Sequence, residues 1–587
     1  MTTDPTADPA TAAAAGSGAD FGAEQIYRWL ASYDDGVPAT LDGEVETLTA
    51  NFQAAARRFP DNTALVFMNR RMTYRELERD IDRFAVALAG LGVGRGTKVA
   101  IHLPNLPQSV IAYYATLRLD AQVVMTNPLY VEREIEHQWH DADCRVAIVT
   151  DYLFEQRIRG MRDKLPIEHF VVTSIPDYLR FPLSWLARYK LRRTTPPTRA
   201  SVAAGPGIHF MSDLLRRASG RPAQADVDLD DVAVLQYTGG TTGVSKGAML
   251  SHRNLSSNVA QVRAWFTSME VGRETVLACL PFFHVFGMTV GMNFPLAIGA
   301  TIVLMPDPRD IKRVIHNIAN ERVTLFPAVP ALFNSINNYP GIEALDLTSV
   351  KACISGSAPL PGDVRARFEA LTQAIILEGF GLTETSPVTH CNPLRGTRKD
   401  GSIGLPLPST AAKVVALEGG TDELPPNSEG ELLIRGPQVM QGYRNRPEET
   451  ADTMAGDWLR TGDIAKMDED GYFFIVGRKK DVIIAGGYNI YPDEIDNVLM
   501  AHPAVLEAAT IGVPDKKRGE TVKSFIVLAD GQSATGEQLE DYCRKELSAY
   551  KVPRQFEFRD ELPKSGALKI LRRELRDEEV RKQRSPT

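Results

Sequence analysis

Cysteine is scarce in this chain. Five are scattered through 587 residues, at Cys144, Cys279, Cys353, Cys391 and Cys543. The number is odd and no two form a Cys-x-x-Cys pair, which argues against a disulfide framework and against a thiolate zinc site. A reducing, cytoplasmic compartment fits such usage. Cys279 and Cys353 sit in apolar runs and read as small core residues rather than nucleophiles. Long hydrophobic runs are missing too. No stretch approaches the ~20 continuous apolar residues that span a bilayer, so the expected membrane contact is at most peripheral. The opening residues, MTTDPTADPATAAAAGSGAD, lack the basic start and leucine-rich core of a signal peptide. Their composition reads as a disordered tail over residues 1–20. An excess of positive charge is also absent. Lys+Arg 66 against Asp+Glu 74 gives a formal net charge of -8, which does not suit a global nucleic-acid binder.

The length exceeds what one hydrophobic core organises, so two or more domains are expected. Helical apolar spacing appears from about Glu46 to Arg58. Thr73 opens TYRELERDIDRFAVALAGLGV, with Thr73 and Glu76 spaced as a capping box. Short apolar runs then recur: KVAIHLP, AQVVMT, RVAIVT, HFVVT, VAVLQYT, TVLACLP, ATIVLM, VTLFPAV and KACISG. Amphipathic stretches lie between many of them. This alternation predicts parallel α/β sheets with the working loops at the strand ends. Near Leu405 the composition shifts to short strand-like pieces broken by Pro, Gly and Asn, a β-rich subdomain. GRKKD, from Gly477, reads as a connector into a small α+β unit. No internal repeat is found at solenoid or propeller periods.

The most informative stretch is VAVLQYTGGTTGVSKGAMLSHRNL. An apolar strand leads into Thr238, Gly239, Gly240, Thr241, Thr242 and Gly243, with Lys246 behind them. Glycines let backbone N–H groups approach anionic oxygens, and the hydroxyls add donors. Lys246 can bring a positive charge to phosphates. The string is not a Walker loop, because Ser245 precedes the lysine and Gly247 follows it. Taken alone, it could be a plain Gly/Thr-rich turn.

Further motifs follow in order: LPFFHVFG at 280–287, SGSAPLP at 355–361, EGFGLTET at 378–385, and WLRTGDIAKMDEDGYFFIVGRKKDVIIAGGYNIYPDEID from Trp458. Together with the loop they resemble the adenylate-forming superfamily of acyl-CoA synthetases, luciferases and peptide-synthetase adenylation domains. The resemblance covers about residues 46–574. It implies a large N-terminal domain of two α/β subdomains plus the β-rich one, over 21–479, binding ATP and the acyl substrate. A small mobile C-terminal α+β lid, 480–587, would follow.

It also implies site roles. His284 would sit at the acyl-substrate site; singly it could be a core histidine. Gly356, Ser357 and Ala358 would lie along adenine, with Glu378, Gly379, Phe380 and Gly381 continuing the nucleotide site. Phe380 would stack on the base, Thr383 contact the α-phosphate and Glu384 hold Mg²⁺, with Thr238 as a further metal-site residue. The family usually has tyrosine at the position of Phe380, so the stacking face is kept and one hydroxyl is lost. Asp463 would bind the ribose hydroxyls, Arg478 ribose or phosphate, Lys480 would be the hinge, and Gly487 would line the pantetheine tunnel. The catalytic lysine would be Lys569, although Leu568 stands where the family has glycine, and Lys564 competes with it.

The implied reaction is ATP-dependent formation of an acyl-AMP, then transfer to coenzyme A. The substrates are the acid, ATP and coenzyme A, with Mg²⁺ as cofactor. MTNPLYVEREIEHQW and WLASYDDGVPATL look like long-chain fatty-acid–CoA ligases. So does DYLRFPLSWLARYKLRR, where Leu179, Leu183 and Leu186 are expected on one helical face among basic residues. That segment suits an anionic membrane surface as well as it suits an ordinary basic helix. A ligase for medium-chain or aromatic acids, a fatty-acyl-AMP ligase and a catalytically silent lipid- or nucleotide-binding protein stay open, as does a homodimer. The uninterrupted GRKKDVIIAGGYN speaks against the fatty-acyl-AMP ligase, which typically carries an insertion there.

Overall fold

A computed structural model describes residues 27–584, apart from 42, 44, 196, 224, 239–244, 486–487, 516–517 and 565–569 and the side chains of 489, 583 and 584. All nine apolar runs become strands. Lys98–His102, Gln122–Met125, Cys144–Thr150, His169–Thr173 and Val232–Thr238 are joined by Ile208–Phe210 and Lys246–Ser251 in a seven-stranded sheet. It is parallel except for its last pair. A nine-stranded sheet carries Thr275–Ala278, Thr301–Leu304, Leu325–Ala328, Ala352–Ser355 and Ile375–Gly381 as its parallel centre. Burial on both faces explains why these strands read as continuous apolar runs rather than alternating ones. Helices fill the connections. Tyr74–Gly90 begins at Thr73, whose side chain accepts from the Glu76 N–H while Glu76 accepts from the Thr73 N–H, the capping box anticipated from the spacing.

The two sheets share one apolar core. Buried Asn105 crosses between them. Its amide donates to the carbonyls of Ala278 and Leu280, both at 2.9 Å, and accepts from the Phe282 N–H at 2.9 Å. Gln236 makes a similar link, donating to the Phe283 carbonyl at 2.7 Å. Asp34, in the stretch WLASYDDG, accepts from the backbone N–H groups of Leu394, Arg395 and Gly396 and fastens the N-terminal segment to the far side.

The β-rich part is an antiparallel sheet of Ala411–Val415, Gly430–Arg435, Met454–Ala455, Trp458–Met467 and Phe473–Arg478. A fourth sheet, from Ile483–Ala485 to Gln555–Phe558, carries the helices Pro492–Met500, Gly536–Glu546 and Arg572–Arg584, an α+β unit with its own core. Asp481 pairs with Arg576 of that last helix at 2.7 Å, so the chain is committed to this unit one residue after Lys480. All five cysteines are free and buried. No described helix is long and apolar enough to cross a membrane.

One expectation is corrected. Leu179, Leu183 and Leu186 do not share a helical face. The helix spans Leu183–Lys190, starting after Pro182, so buried Leu179 lies in the preceding turn. Leu183 packs inward with Ala187 and Leu191, while Leu186 points outward.

Replacing Asn105 with alanine would strand two carbonyls and one N–H in a dry interior. Asn105→Ala is expected to destabilise the large domain by about 2–4 kcal/mol, read as a lower urea midpoint at unchanged m-value.

Candidate functional site

The glycine-rich loop closes a hairpin. The strand Val232–Thr238 returns antiparallel as Lys246–Ser251, with Thr238 opposite Lys246 at the open end. Gly239, Gly240, Thr241, Thr242 and Gly243 lie outside the described residues. In a Walker loop the lysine opens a helix; here the helix His252–Trp265 begins only after the returning strand, capped by Ser251. Gly247 leaves room for the Tyr237 ring, from which a Cβ would stand 3.0 Å, so any side chain there would make the ring shift. Tyr237 is itself held by donating to Asp141 Oδ2 at 2.7 Å.

Residues 440–444 run along this returning strand. Met249 N–H donates to the Gly442 carbonyl, Gln441 N–H to that of Met249, and Arg444 N–H to that of Gly247, at 2.8–3.0 Å. Met440 N–H donates to the carbonyl of Glu384 at 2.8 Å. Tyr443 is thereby fixed between loop and turn. Its hydroxyl donates to Glu384 Oε1 at 2.6 Å, and the Lys246 ammonium lies 5.3 Å from the centre of its ring. Burial pushes the Tyr443 phenol up and the Glu384 carboxylate pushes it further, so the hydroxyl remains a donor. Lys246 is ion-paired with Glu449, which also meets Arg446 at 3.4 Å. Tyr443, Glu449 and Asp141 were not singled out from the sequence. The one available signal was the polar, charged stretch GYRNRPEET, which by itself reads as a surface turn.

The turn Thr383–Thr385 packs against both hairpin strands, so Thr383 and Glu384 lie on the hairpin side of the site. Among the described residues no cluster of three or more His, Cys, Asp or Glu could cage a metal. A single carboxylate beside this hairpin nevertheless suits Mg²⁺, which keeps several waters and binds through one or two carboxylates plus phosphate oxygens. Glu384 and Thr238 supply oxygen donors of that kind.

The neighbouring parallel strands end at the same place, where ligands bind in open α/β sheets. Ala352–Ser355 runs into Gly356, Ser357 and Ala358, with Ser357 in the left-handed region at φ 73 and Phe286 packed on Gly356. Ile375–Gly381 carries Glu378, Gly379, Phe380 and Gly381. Gly381 is required by packing, since a Cβ would lie 2.0 Å from the Pro387 carbonyl oxygen. Phe380 keeps one ring edge on His390, 6.1 Å between centroids. His284 precedes the short helix Val285–Met288, and burial pushes its imidazole down to about 4, so it is neutral. Its Nε2 is buried with no hydrogen-bond partner among the described residues.

A small apolar cavity, about 20 Å³, is bounded by Phe266, Val290, Phe294, Pro327 and Ile354. Asp463 and Arg478 form a separate pair on the β-rich sheet, Arg478 Nε to Asp463 Oδ1 at 2.9 Å, set by their opposite register. Lys480 follows, exposed. Gly487 and Lys569 lie outside the described residues. Lys564 is engaged within its own unit by Glu507.

The family model described as AMP-binding enzyme matches residues 52–444, and that of the AMP-binding enzyme C-terminal domain matches residues 494–569. The chain is 43% identical over 556 residues to a long-chain-fatty-acid–CoA ligase of Bacillus subtilis, covering 94% of this chain and 98% of that protein. It is 42% identical over 559 residues to the Yersinia pestis protein of the same name, with the same coverage. Among solved structures, the anthranilate CoA ligase AuaEII in complex with anthranoyl-AMP superposes with a TM-score of 0.82 at 28% identity, over 92% of this chain and 99% of that one.

Burial pushes the Glu378 carboxyl up to about 7 from 4.5, against the lowering effect of the Leu360 N–H donated to it at 3.3 Å. The folded chain therefore holds a proton that the unfolded chain releases. The associated stability is complete below the unfolded value of 4.5 and is lost as pH rises through about 7. Glu378→Gln, always neutral, is expected to be more stable than wild type at pH 8 by on the order of 1–3 kcal/mol. The advantage should vanish below pH 4.5, as followed by urea unfolding across pH.

Proposed function

Because this chain belongs to the AMP-binding enzyme family, we propose that its hairpin loop, its Thr383–Thr385 turn and its C-terminal unit together join a fatty acid to coenzyme A through an acyl-AMP. The observation that carries this reading is the meeting of Lys246 and Glu384 on one side chain, Tyr443, at the ends of the parallel strands.

A carboxylate does not acylate a thiol, because its oxide is a poor leaving group. Here a carboxylate oxygen of the acid attacks the α-phosphorus of ATP, and the bond to the bridging oxygen breaks with release of pyrophosphate. The coenzyme A sulfur then attacks the acyl carbon, its proton passes to solvent, and AMP departs with the bonding pair. The first step demands positioning and neutralisation of charge. Lys246 meets the phosphates by exchanging Glu449 for them. Thr383 contacts the α-phosphate. Glu384, steadied by the Tyr443 hydroxyl, would hold Mg²⁺ with Thr238, and the ion's contribution is to offset phosphate charge. Phe380 stacks on adenine beside Gly356, Ser357 and Ala358, and Asp463 and Arg478 take the ribose.

Neutral His284 and the apolar cavity lined by Val290 and Phe294, on the helical turns that follow it in the chain, take the acid. Ligand pockets for molecules of this size run to roughly 300 Å³ and more, so the cavity widens on binding. Lys569 serves the first step and the Gly487 loop the second, with the lid, from Lys480 onward, turning between them. The pairing of Lys564 with Glu507 supports Lys569 as the catalytic lysine. A membrane surface is a natural source of the acid, and work at such a surface is part of the proposal.

Pyrophosphate exchange into ATP should depend on the acid and not on coenzyme A. Long-chain fatty acids should give a higher kcat/KM than anthranilate, coumarate or acetate. Exchange that strictly required coenzyme A would sink the two-step scheme, and a clear preference for an aromatic acid would reassign the substrate.

Tyr443→Phe removes the donor to Glu384 while leaving the ring under Lys246. The Mg²⁺ concentration for half-maximal exchange is expected to rise about tenfold, the worth of a hydrogen bond to a charged group. The KM for the acid should stay near wild type. A kcat loss with unchanged Mg²⁺ dependence would place Tyr443 elsewhere in the mechanism.

A further inference from the structure

We infer that the helix Leu183–Lys190, with the turn before it, is the face by which this protein docks on an anionic lipid bilayer. The purpose rests on the fatty-acid reading above; the evidence and the test do not.

The helix is apolar on two sides. Leu183, Ala187 and Leu191 pack inward at i, i+4, i+8 spacing against the main core. That stripe alone accounts for the helix being there. Yet Trp185 is 65% exposed, Leu186 49% and Tyr189 57%, and Phe181 in the turn is 82% exposed. These four fall within nine residues, whereas no other nine-residue stretch of the described residues exposes more than two large apolar side chains. Scattered apolar exposure is ordinary, but a contiguous patch marks a surface that something covers.

The patch is presented rigidly. Leu179 is buried, Tyr178 donates to Asp80 Oδ2 at 3.2 Å, and Asn69 exchanges two hydrogen bonds with the backbone of Arg180. Asn69 sits at a hairpin tip beside Met68, itself 40% exposed.

Charge names the occupant. Residues 177–193 hold Arg180, Arg188, Lys190, Arg192 and Arg193 against one carboxylate, Asp177, which already meets Arg188 at 3.7 Å. The whole chain is net negative at -8, so the attraction to anions is local to this segment. The Arg193 guanidinium stacks 4.1 Å over the Tyr189 ring, putting a cation beside an aromatic rather than apart from it. Trp and Tyr combine an apolar body with a polar tip and favour the headgroup level of a membrane. Eight residues make about 12 Å of helix, too short to span but suited to lie in the interface plane with a basic rim on headgroup phosphates.

The test is co-sedimentation of the full-length protein with vesicles of phosphatidylcholine alone or mixed with phosphatidylglycerol, without free fatty acid. Brominated phosphatidylcholine adds a direct reading. Trp29, Trp139 and Trp265 are buried and Trp458 lies under Lys413 and Arg435, so quenching reports on Trp185.

Binding should require the anionic lipid and weaken with salt. The Trp185→Ala/Tyr189→Ala and Arg192→Ala/Arg193→Ala pairs should each lower the partition coefficient about tenfold or more. Trp185→Phe should keep binding but lose the quenching. All these variants should retain pyrophosphate exchange with a short, soluble acid, since none of the residues belongs to the catalytic site.

Equal partitioning of wild type and variants, or no quenching of bound wild type, would overturn the inference. So would loss of a concentration-dependent dimer in Trp185→Ala/Tyr189→Ala, which would assign the face to a second copy of the chain. Failure of the fatty-acid reading would show separately, in the acid preference of the exchange reaction.

Discussion

The site depends on the backbone pairing of residues 440–444 with the strand Lys246–Ser251. That pairing uses main-chain hydrogen bonds, so it is indifferent to most side chains along it. Its effect is to insert Tyr443 where one phenol can serve two functions. The ring faces the Lys246 ammonium, and the hydroxyl holds the Glu384 carboxylate. Without this strand-like segment the Glu384 carboxylate would lose the Tyr443 hydroxyl that holds it.

A second constraint is how a net-negative protein handles a polyanion. Lys246 is not a free cation waiting for phosphate: it is paired with Glu449, and Glu449 with Arg446. Exchange of one anionic partner for another costs less than exposing or burying an unpaired ammonium. Positive charge is therefore metered at the site. A further basic segment is 177–193, with five Lys or Arg residues against Asp177.

Much of the architecture was legible because its causes are local. Each apolar run became a strand, since a parallel strand buried on both faces needs apolar residues throughout. The helix after Thr73 began where its capping box stood. For the glycines, the packing that requires them is not written in the sequence. Packing supplies further reasons for them: Phe286 packs on Gly356, and the Pro387 carbonyl forbids any side chain at Gly381. The outward face of Leu183–Lys190 was misread for a similar cause. Spacing grouped Leu179, Leu183 and Leu186, and could not say that the helix starts only after Pro182.

The sequence by itself determined the family, the order of strands and helices, and the residue types that chemistry with phosphate requires, because each of these is written in short contiguous strings. Tertiary structure alone decided which distant residues complete the site. Tyr443 meets Glu384 across 59 positions and Tyr237 meets Asp141 across 96. No periodicity reaches over such separations. Those pairs exist because two sheets share one core and buried amides such as Asn105 lock their relative positions, and packing of that kind is a property of the assembled chain, not of any segment within it.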